Sequence, residues 1–236
     1  MPKPPLMIFL PPSEGKAPGT AGSSWAKGTM AEEGLDHARA MVLSAARAAG
    51  AAPPPSGVCP AMERYTGVLY RELAWATLPL AARRRGEAQV RTVSGLWGLV
   101  APADPIPFYK LKMSASLAEF GRLATWWKPR LTPAVANLVE GKVVWDLLPL
   151  EHRAAMDWPL TGASRRVTVR FLDADGRLVG HWNKLLKGAL VRWLLIEQPT
   201  GPEALAQFEH PLGYRFDAGA SETEGAEPVA VLRAAP

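Results

Sequence analysis

The chain has 236 residues, 48% of them hydrophobic, and carries 27 lysines and arginines against 22 acids for a net charge of +5. That length fits one large domain or two small ones. No apolar run approaches a membrane span, and a single cysteine, Cys59, excludes an internal disulfide and a cysteine-cluster metal site.

In chain order, the apolar run Leu6-Met7-Ile8-Phe9-Leu10 predicts a short buried strand. It is too short for a secretory signal core, so the reading is a cytosolic protein. Pro11, Pro12 and Ser13-Glu14-Gly15-Lys16 then require a loop. Residues 30–49 are helical in composition, 51–60 form a proline-rich connector, and 61–78 predict a helix weakened at Gly67. Arg83-Arg84-Arg85-Gly86 reads as an exposed turn. Residues 89–93 predict a strand that stops at Ser94-Gly95, and 108–113 alternate as a further strand would. A helix is expected over 114–127 with Ser114 as its N-cap. Thr132-Pro133 opens another, short helix, with proline at a tolerated first position. Residues 142–148 are apolar and β-branched and predict a buried strand. Residues 166–172 and 177–182 flank Asp173-Ala174-Asp175-Gly176 with hairpin spacing. A helix runs from Asn183 towards Gln198-Pro199, 217–227 is expected to be mobile, and 229–232 predicts a last strand. The expected fold is a mixed α/β (α+β) single domain over residues 1–236, with one β-hairpin, rather than a doubly wound parallel sheet.

Charge is uneven. After residue 200 there are six acids (Glu203, Glu209, Asp217, Glu222, Glu224, Glu227) and two bases (Arg215, Arg233), so the rest of the chain is distinctly basic. A basic body suits an anionic partner, whether nucleic acid, nucleotide or phosphorylated metabolite. The stretch His181 to Trp193 shows where. Lys184, Lys187 and Arg192 fall at i, i+3 and i+8 on a broad helix face, beside Asn183. Cations near a helix start oppose the dipole. Either the face is solvated, or it holds a phosphate with help from free backbone N–H groups.

Ser13-Glu14-Gly15-Lys16 follows a buried strand, where α/β proteins gather ligand groups. It is not a Walker A loop, because the first glycine is missing and Ala17 replaces Ser/Thr. Tyr65 and Tyr70 are either core tyrosines or polar ligand contacts. Trp97, between Gly95 and Gly98, either faces a planar ligand or packs in the core. Asp104 is the best carboxylate for acid–base or cation-binding work, with Tyr109 close behind. Asp146 ends a strand as a catalytic group or, as favoured here, a helix cap. Trp126-Trp127-Lys128-Pro129-Arg130 is the best exposed stacking segment. The histidines at 37, 152, 181 and 210 lack metal-ligand spacing, and the pattern requires neither metal nor cofactor. A peroxide-reactive thiol at Cys59 would need a nearby cation, and Arg64 is close in the chain.

Six of these segments, in this order, resemble the YaaA family of bacterial peroxide-stress proteins. They are the strand and loop of 10–16; Tyr65-Thr66-Gly67-Val68-Leu69-Tyr70; Ser94-Gly95-Leu96-Trp97-Gly98-Leu99; Pro102, Asp104, Tyr109, Leu111 and Met113; Lys184, Lys187, Gly188 and Arg192; and Gly213-Tyr214-Arg215-Phe216-Asp217. The resemblance spans nearly the whole chain. It implies a compact mixed α/β domain with a positively charged cleft. It also implies a role in tolerating hydrogen peroxide by limiting unincorporated iron, and DNA binding attributed partly to a helix-hairpin-helix element. Residues 39–60, where that element would lie, show no such pattern, and Pro-Pro-Ser-Glu-Gly-Lys differs from the family's usual Ser-Pro-Ala-Lys-Thr.

The expected function is that of a cytosolic peroxide-stress protein binding DNA or a phosphate-bearing small molecule, with no membrane partner. Lys16, Lys184, Lys187 and Arg192 would supply charge, Ser13 and Asn183 polar contacts, and Tyr65, Trp97 and Tyr109 planar or hydrogen-bonding surface. The alternative is an enzyme acting on a nucleotide, nucleobase or other phosphorylated small molecule, with Asp104 or Tyr70 moving protons.

Overall fold

The computed structural model describes residues 6–19, 23–50, 57–180 and 182–235. His181 and residues 51–56 of the proline-rich connector lie outside the described residues. In chain order the elements are β1 (Leu6–Leu10), α1 (Asp36–Ala48), β2 (Cys59–Pro60), α2 (Ala61–Arg64), α3 (Val68–Leu73), α4 (Leu80–Gln89), β3 (Val90–Ser94), β4 (Gly98–Val100) and β5 (Pro105–Ile106). They continue with β6 (Ser116–Leu117), β7 (Gly121–Arg122), α5 (Leu123–Val139), β8 (Val143–Asp146), α6 (Leu150–Arg153), β9 (Arg165–Leu172), α7 (Asn183–Glu197), β10 (Tyr214–Phe216) and β11 (Val229–Ala234). Short 3₁₀ turns cover Glu33–Leu35, Trp75–Thr77, Trp158–Thr161 and Pro202–Gln207.

The fold is mixed α/β. Seven strands form one sheet in the order β10-β11-β9-β8-β1-β3-β4. The middle five, β11 to β3, run parallel, and antiparallel strands close both edges. Both faces of the centre are covered: all five residues of β1 and all four of β8 are buried, which explains why these strands read as continuous apolar runs. Helices α3, α4 and α7 pack together. Gly188 brings α7 against the α3 backbone, where an added Cβ would lie 2.3 Å from the Leu69 carbonyl oxygen. Helix α5 and the 158–161 turn pack against each other, and Trp158 meets Phe9 edge-on at 5.4 Å.

The topology positions a site. From β1 the chain moves to β3 on one side and later returns to β8 on the other, so the order reverses around β1. Ligands of open parallel sheets gather at the carboxyl ends beside such a reversal. The register sets Leu10 against Thr92 and Phe9 against Asp146, so β1, β3 and β8 end together.

Several sequence expectations are corrected. The helix over 61–78 is broken, because residues 64–66 form backbone bonds with the 15–17 loop: Ala17 N–H donates to Arg64 O at 2.8 Å and Thr66 N–H to Gly15 O at 3.0 Å. Arg83 to Gly86 lie inside α4, where Arg85 donates to Leu195 O at 2.8 Å. Residues 108–113 form no ladder, although Tyr109, Leu111 and Met113 alternate inward as a strand would. The 114–127 helix begins only at Leu123, after a small β6–β7 hairpin whose turn needs Gly121 at φ +63°. Thr132 and Pro133 lie within α5 rather than at a helix start. The hairpin after β9 keeps its turn, but its return arm forms a single bridge, Leu172 to Leu178, because β11 occupies the flank of β9.

Candidate functional site

Two groups of side chains meet the carboxyl edge. The first surrounds Lys16. Its ammonium donates to Ser13 O at 2.5 Å and stands over the Tyr109 ring at 4.2 Å from the centroid, with the Tyr65 ring at 5.7 Å. Burial pulls this amine down to about 8; Glu14 opposes the shift while Arg64 and Lys110 add to it. The loop is held from below by Arg64, which is fully buried and donates to the carbonyls of Ala17, Gly57 and Ile106. Gly67 leaves room for the loop, since a Cβ there would sit 2.3 Å from Ser13 Oγ.

Beneath Lys16 lies a chain of hydroxyls. Ser94 Oγ donates to Tyr109 OH at 2.9 Å, and Tyr109 OH and Tyr65 OH are hydrogen-bonded to each other at 2.8 Å. Ser94 Oγ itself accepts the N–H groups of Leu96 and Trp97. Burial pushes the Tyr65 hydroxyl well above its ordinary value and that of Tyr109 up to about 12, so both are protonated at neutral pH.

The second group surrounds Lys187, at the end of β8. Its ammonium donates to Leu147 O at 2.8 Å, and burial pulls it down to about 8 against the opposing charge of Asp146. Asp146 accepts Leu148 N–H at 3.0 Å and Arg153 Nε at 2.7 Å, with Arg166 at 3.6 Å. It caps no helix: α6 begins at Leu150 without a side-chain cap, and Asp146 is an ion-pair anchor instead. Burial pushes its carboxyl up while Arg153 pulls it down. Lys184, one turn before Lys187, is exposed, and its charge reaches Glu14. The edge thus presents Lys16, Lys184 and Lys187 from the β1 loop and the start of α7. Asn183 is engaged locally, donating to Val179 O at 3.3 Å.

Four expected site residues are engaged in contacts within the fold instead. Arg192 does not share the cleft, because its guanidinium donates to the carbonyls of Leu73, Ala74 and Thr77 and to Thr77 Oγ1, closing the end of α3. Tyr70 cannot move a proton as it stands: its hydroxyl donates to Pro11 O at 2.8 Å and accepts from Thr92 Oγ1 at 3.1 Å. Asp104 is buried and accepts the N–H groups of Ala31 and Ala101, both at 2.8 Å, so it fastens loops. Trp97 is fully buried against Trp25 and Tyr109 and presents no face to a ligand.

Sequence reasoning missed Ser94 and Thr92, whose hydroxyls order the two tyrosine groups, and the anchoring Arg64. A strand ending in Ser before Gly was a visible signal for Ser94. Arg64 gave none, since a buried arginine surrounded by carbonyls is indistinguishable from a surface one until the loops close around it. Two shallow hollows, of about 410 and 500 Å³, share no residue with this edge; the first is lined by Trp25, Leu43 and Arg47, the second by Glu32, Arg91 and Arg130. No helix among the described residues is long and apolar enough to cross a membrane.

The family profile described as peroxide stress protein YaaA matches residues 7–220. A UPF0246 protein of Streptomyces coelicolor is 34% identical over 93% of this chain and 95% of its own length. UPF0246 proteins of Methylibium petroleiphilum (31% identical, 77% of this chain, 74% of theirs) and Salinispora tropica (30%, 71% and 65%) are also similar. With a family match running from β1 to beyond β10, this chain belongs to the YaaA family of peroxide stress proteins.

Proposed function

We propose that this chain serves the peroxide-stress response by binding a compact phosphate-bearing ligand at the carboxyl edge of its sheet. The observation that carries this reading is the pair of half-buried lysines at this edge: Lys16, in the loop after β1, donates to Ser13 O, and Lys187, on α7, donates to Leu147 O just past the end of the adjacent strand β8; burial draws each down to about 8. A half-buried cation is costly unless anions offset its lost hydration; Glu14 and Asp146 offset only part of that cost, and a phosphate would add to both. Calorimetric titration with inorganic pyrophosphate and with ADP tests this. Lys187→Ala should lower affinity roughly tenfold or more, as expected for a lost charged hydrogen bond. Unchanged affinity, or no binding of either probe, defeats it.

A second reading, DNA binding, is favoured by the exposed rim of Lys110, Lys112 and Lys184 around the same loop. It predicts affinity falling steeply with salt. Replacing Lys112 and Lys184 with alanine should flatten that slope, and an unchanged slope would remove this reading. Among the described residues no three His, Cys, Asp or Glu side chains gather as a metal site.

A further inference from the structure

The hydroxyls beneath Lys16 do not balance. Ser94 Oγ accepts two backbone N–H groups, so its own proton goes to Tyr109 OH. Tyr109 and Tyr65 then share one hydrogen bond between two phenolic protons. Whichever tyrosine donates, one phenolic proton is left without an acceptor among the described residues. A hydroxyl offers one donor, and the count cannot be evaded by rotation. The neighbouring pair shows the contrast: Tyr70 donates to Pro11 O and Thr92 donates to Tyr70, two protons for two acceptors.

The surplus lies in a buried place. Tyr65 is 2% exposed and Tyr109 1%, where an unmet donor is costly. Lys16 adds to it. Its ammonium has three N–H donors and, among the described residues, one hydrogen-bond acceptor, Ser13 O, while it stands over the Tyr109 ring. Donors lie in the loop above and on the tyrosines below, and among the described residues no carboxylate accepts a hydrogen bond from them: Glu14, whose charge reaches Lys16, pairs with exposed Lys112 at 3.2 Å. Lys16 is the partly exposed member, so entry is past its side chain.

We infer that the Ser94–Tyr109–Tyr65 relay and Lys16 together form an oxyanion subsite, in which a phenolic O–H and the lysine ammonium hold one carboxylate or phosphate oxygen of a small ligand. This rests on the anion-binding reading above and deepens it, by naming the neutral donors that would distinguish an oxyanion from a halide or a diffuse counterion.

The chain has four tyrosines, so protein labelled with 3-fluorotyrosine gives four fluorine resonances, assignable by single Tyr→Phe variants. Inorganic phosphate and acetate are titrated separately, with sodium chloride at matched ionic strength as the control. The Tyr65 and Tyr109 resonances should move with phosphate, acetate or both, whichever moves them identifying the oxyanion, and chloride should not reproduce the shift. Tyr214, on the edge strand β10, should stay still, and Lys16→Met should abolish the shift. If calorimetry shows phosphate or acetate binding, dependent on Lys187, while Tyr65 and Tyr109 remain still, the subsite is refuted and the anion reading survives. If neither anion binds, both fall.

Discussion

At the scale of single residues, the lysines at the edge set a pH dependence whose sign can be worked out. Lys16 and Lys187 have folded values near 8 against an ordinary value of 10.5. Between those values the unfolded chain binds more protons than the folded one, so stability rises with pH. Below about 8 both states are protonated and the burial cost is fully present. Above about 10 the buried tyrosines take over with the opposite sign, since Tyr109 holds its proton to about 12 in the fold. Urea unfolding between pH 7 and pH 10 should therefore show stability climbing through pH 8 and 9. Lys16→Met should raise the neutral-pH midpoint by about 2–4 °C, the shift that roughly 1 kcal/mol gives in a chain of this size, and should flatten part of the climb. A decrease in stability at neutral pH would show that the lysine is already compensated in the free protein. The site is only partly legible in the sequence. Lys16 stands out by its place in a loop after a buried strand and Lys187 by helical spacing, but Arg192 shares that spacing and a cationic charge and differs in what the fold sets before it.

At the scale of elements, the close crossing of α3 and α7 is the contact on which the Lys187 group depends. Gly188→Ala would place a Cβ 2.3 Å from Leu69 O and 2.7 Å from Glu72 Cβ. Backbone cannot yield as a side-chain end can, so the helices must separate, at a cost of about 2 kcal/mol. Thermal unfolding of the variant should show the loss, and full stability would mean that the helices have slack. Arg192→Ala acts across the same pair differently. It frees the carbonyls of Leu73 and Ala74, so stability should fall by about 1–2 kcal/mol, while pyrophosphate affinity should not change. Loss of affinity without loss of stability would return Arg192 to the binding edge. Elements were legible where burial is simple. The runs that became β1, β3 and β8 and the periodic α7 lie where the sequence puts them. The interruption of the helix expected over 61–78 is tertiary: helix periodicity continues through Tyr65, but the 15–17 loop takes the backbone there. Likewise α5 runs through Pro129 and Pro133, which local preference treats as stops.

Across the whole molecule, the question is what fixes the relative placement of strands whose ends carry the site. Five parallel strands give no hairpins to set their register, so their carboxyl ends need ties between elements that are distant in sequence. Asp146 supplies one. From the end of β8 it binds Arg153 of α6 at 2.7 Å and attracts Arg166 of β9, which in turn reaches Glu227 just before β11 at 2.8 Å. One carboxylate thus links β8, α6 and β9 and, through Arg166, the approach to β11. Asp146→Asn separates the charge from the shape. The amide can keep its oxygen on Leu148 N–H, but then its NH₂ faces the Arg153 Nε–H, donor against donor. The arginines lose their buried counter-charge, and Lys187 loses the acid that holds its proton on. Breaking one side of a buried pair costs a few kcal/mol; Arg153 is partly exposed and can turn to water, so about 2 kcal/mol is expected here, a fall of roughly 4–8 °C in Tm. Because the carboxylate is buried, most of the loss should persist in high salt, where surface pairs are screened. Lys187 should titrate lower still, which proton-detected NMR of the lysine amines would show. If Asp146→Asn unfolds at the parent temperature with Lys187 unmoved, the network is an ornament of the surface and the strand ends are held by packing alone.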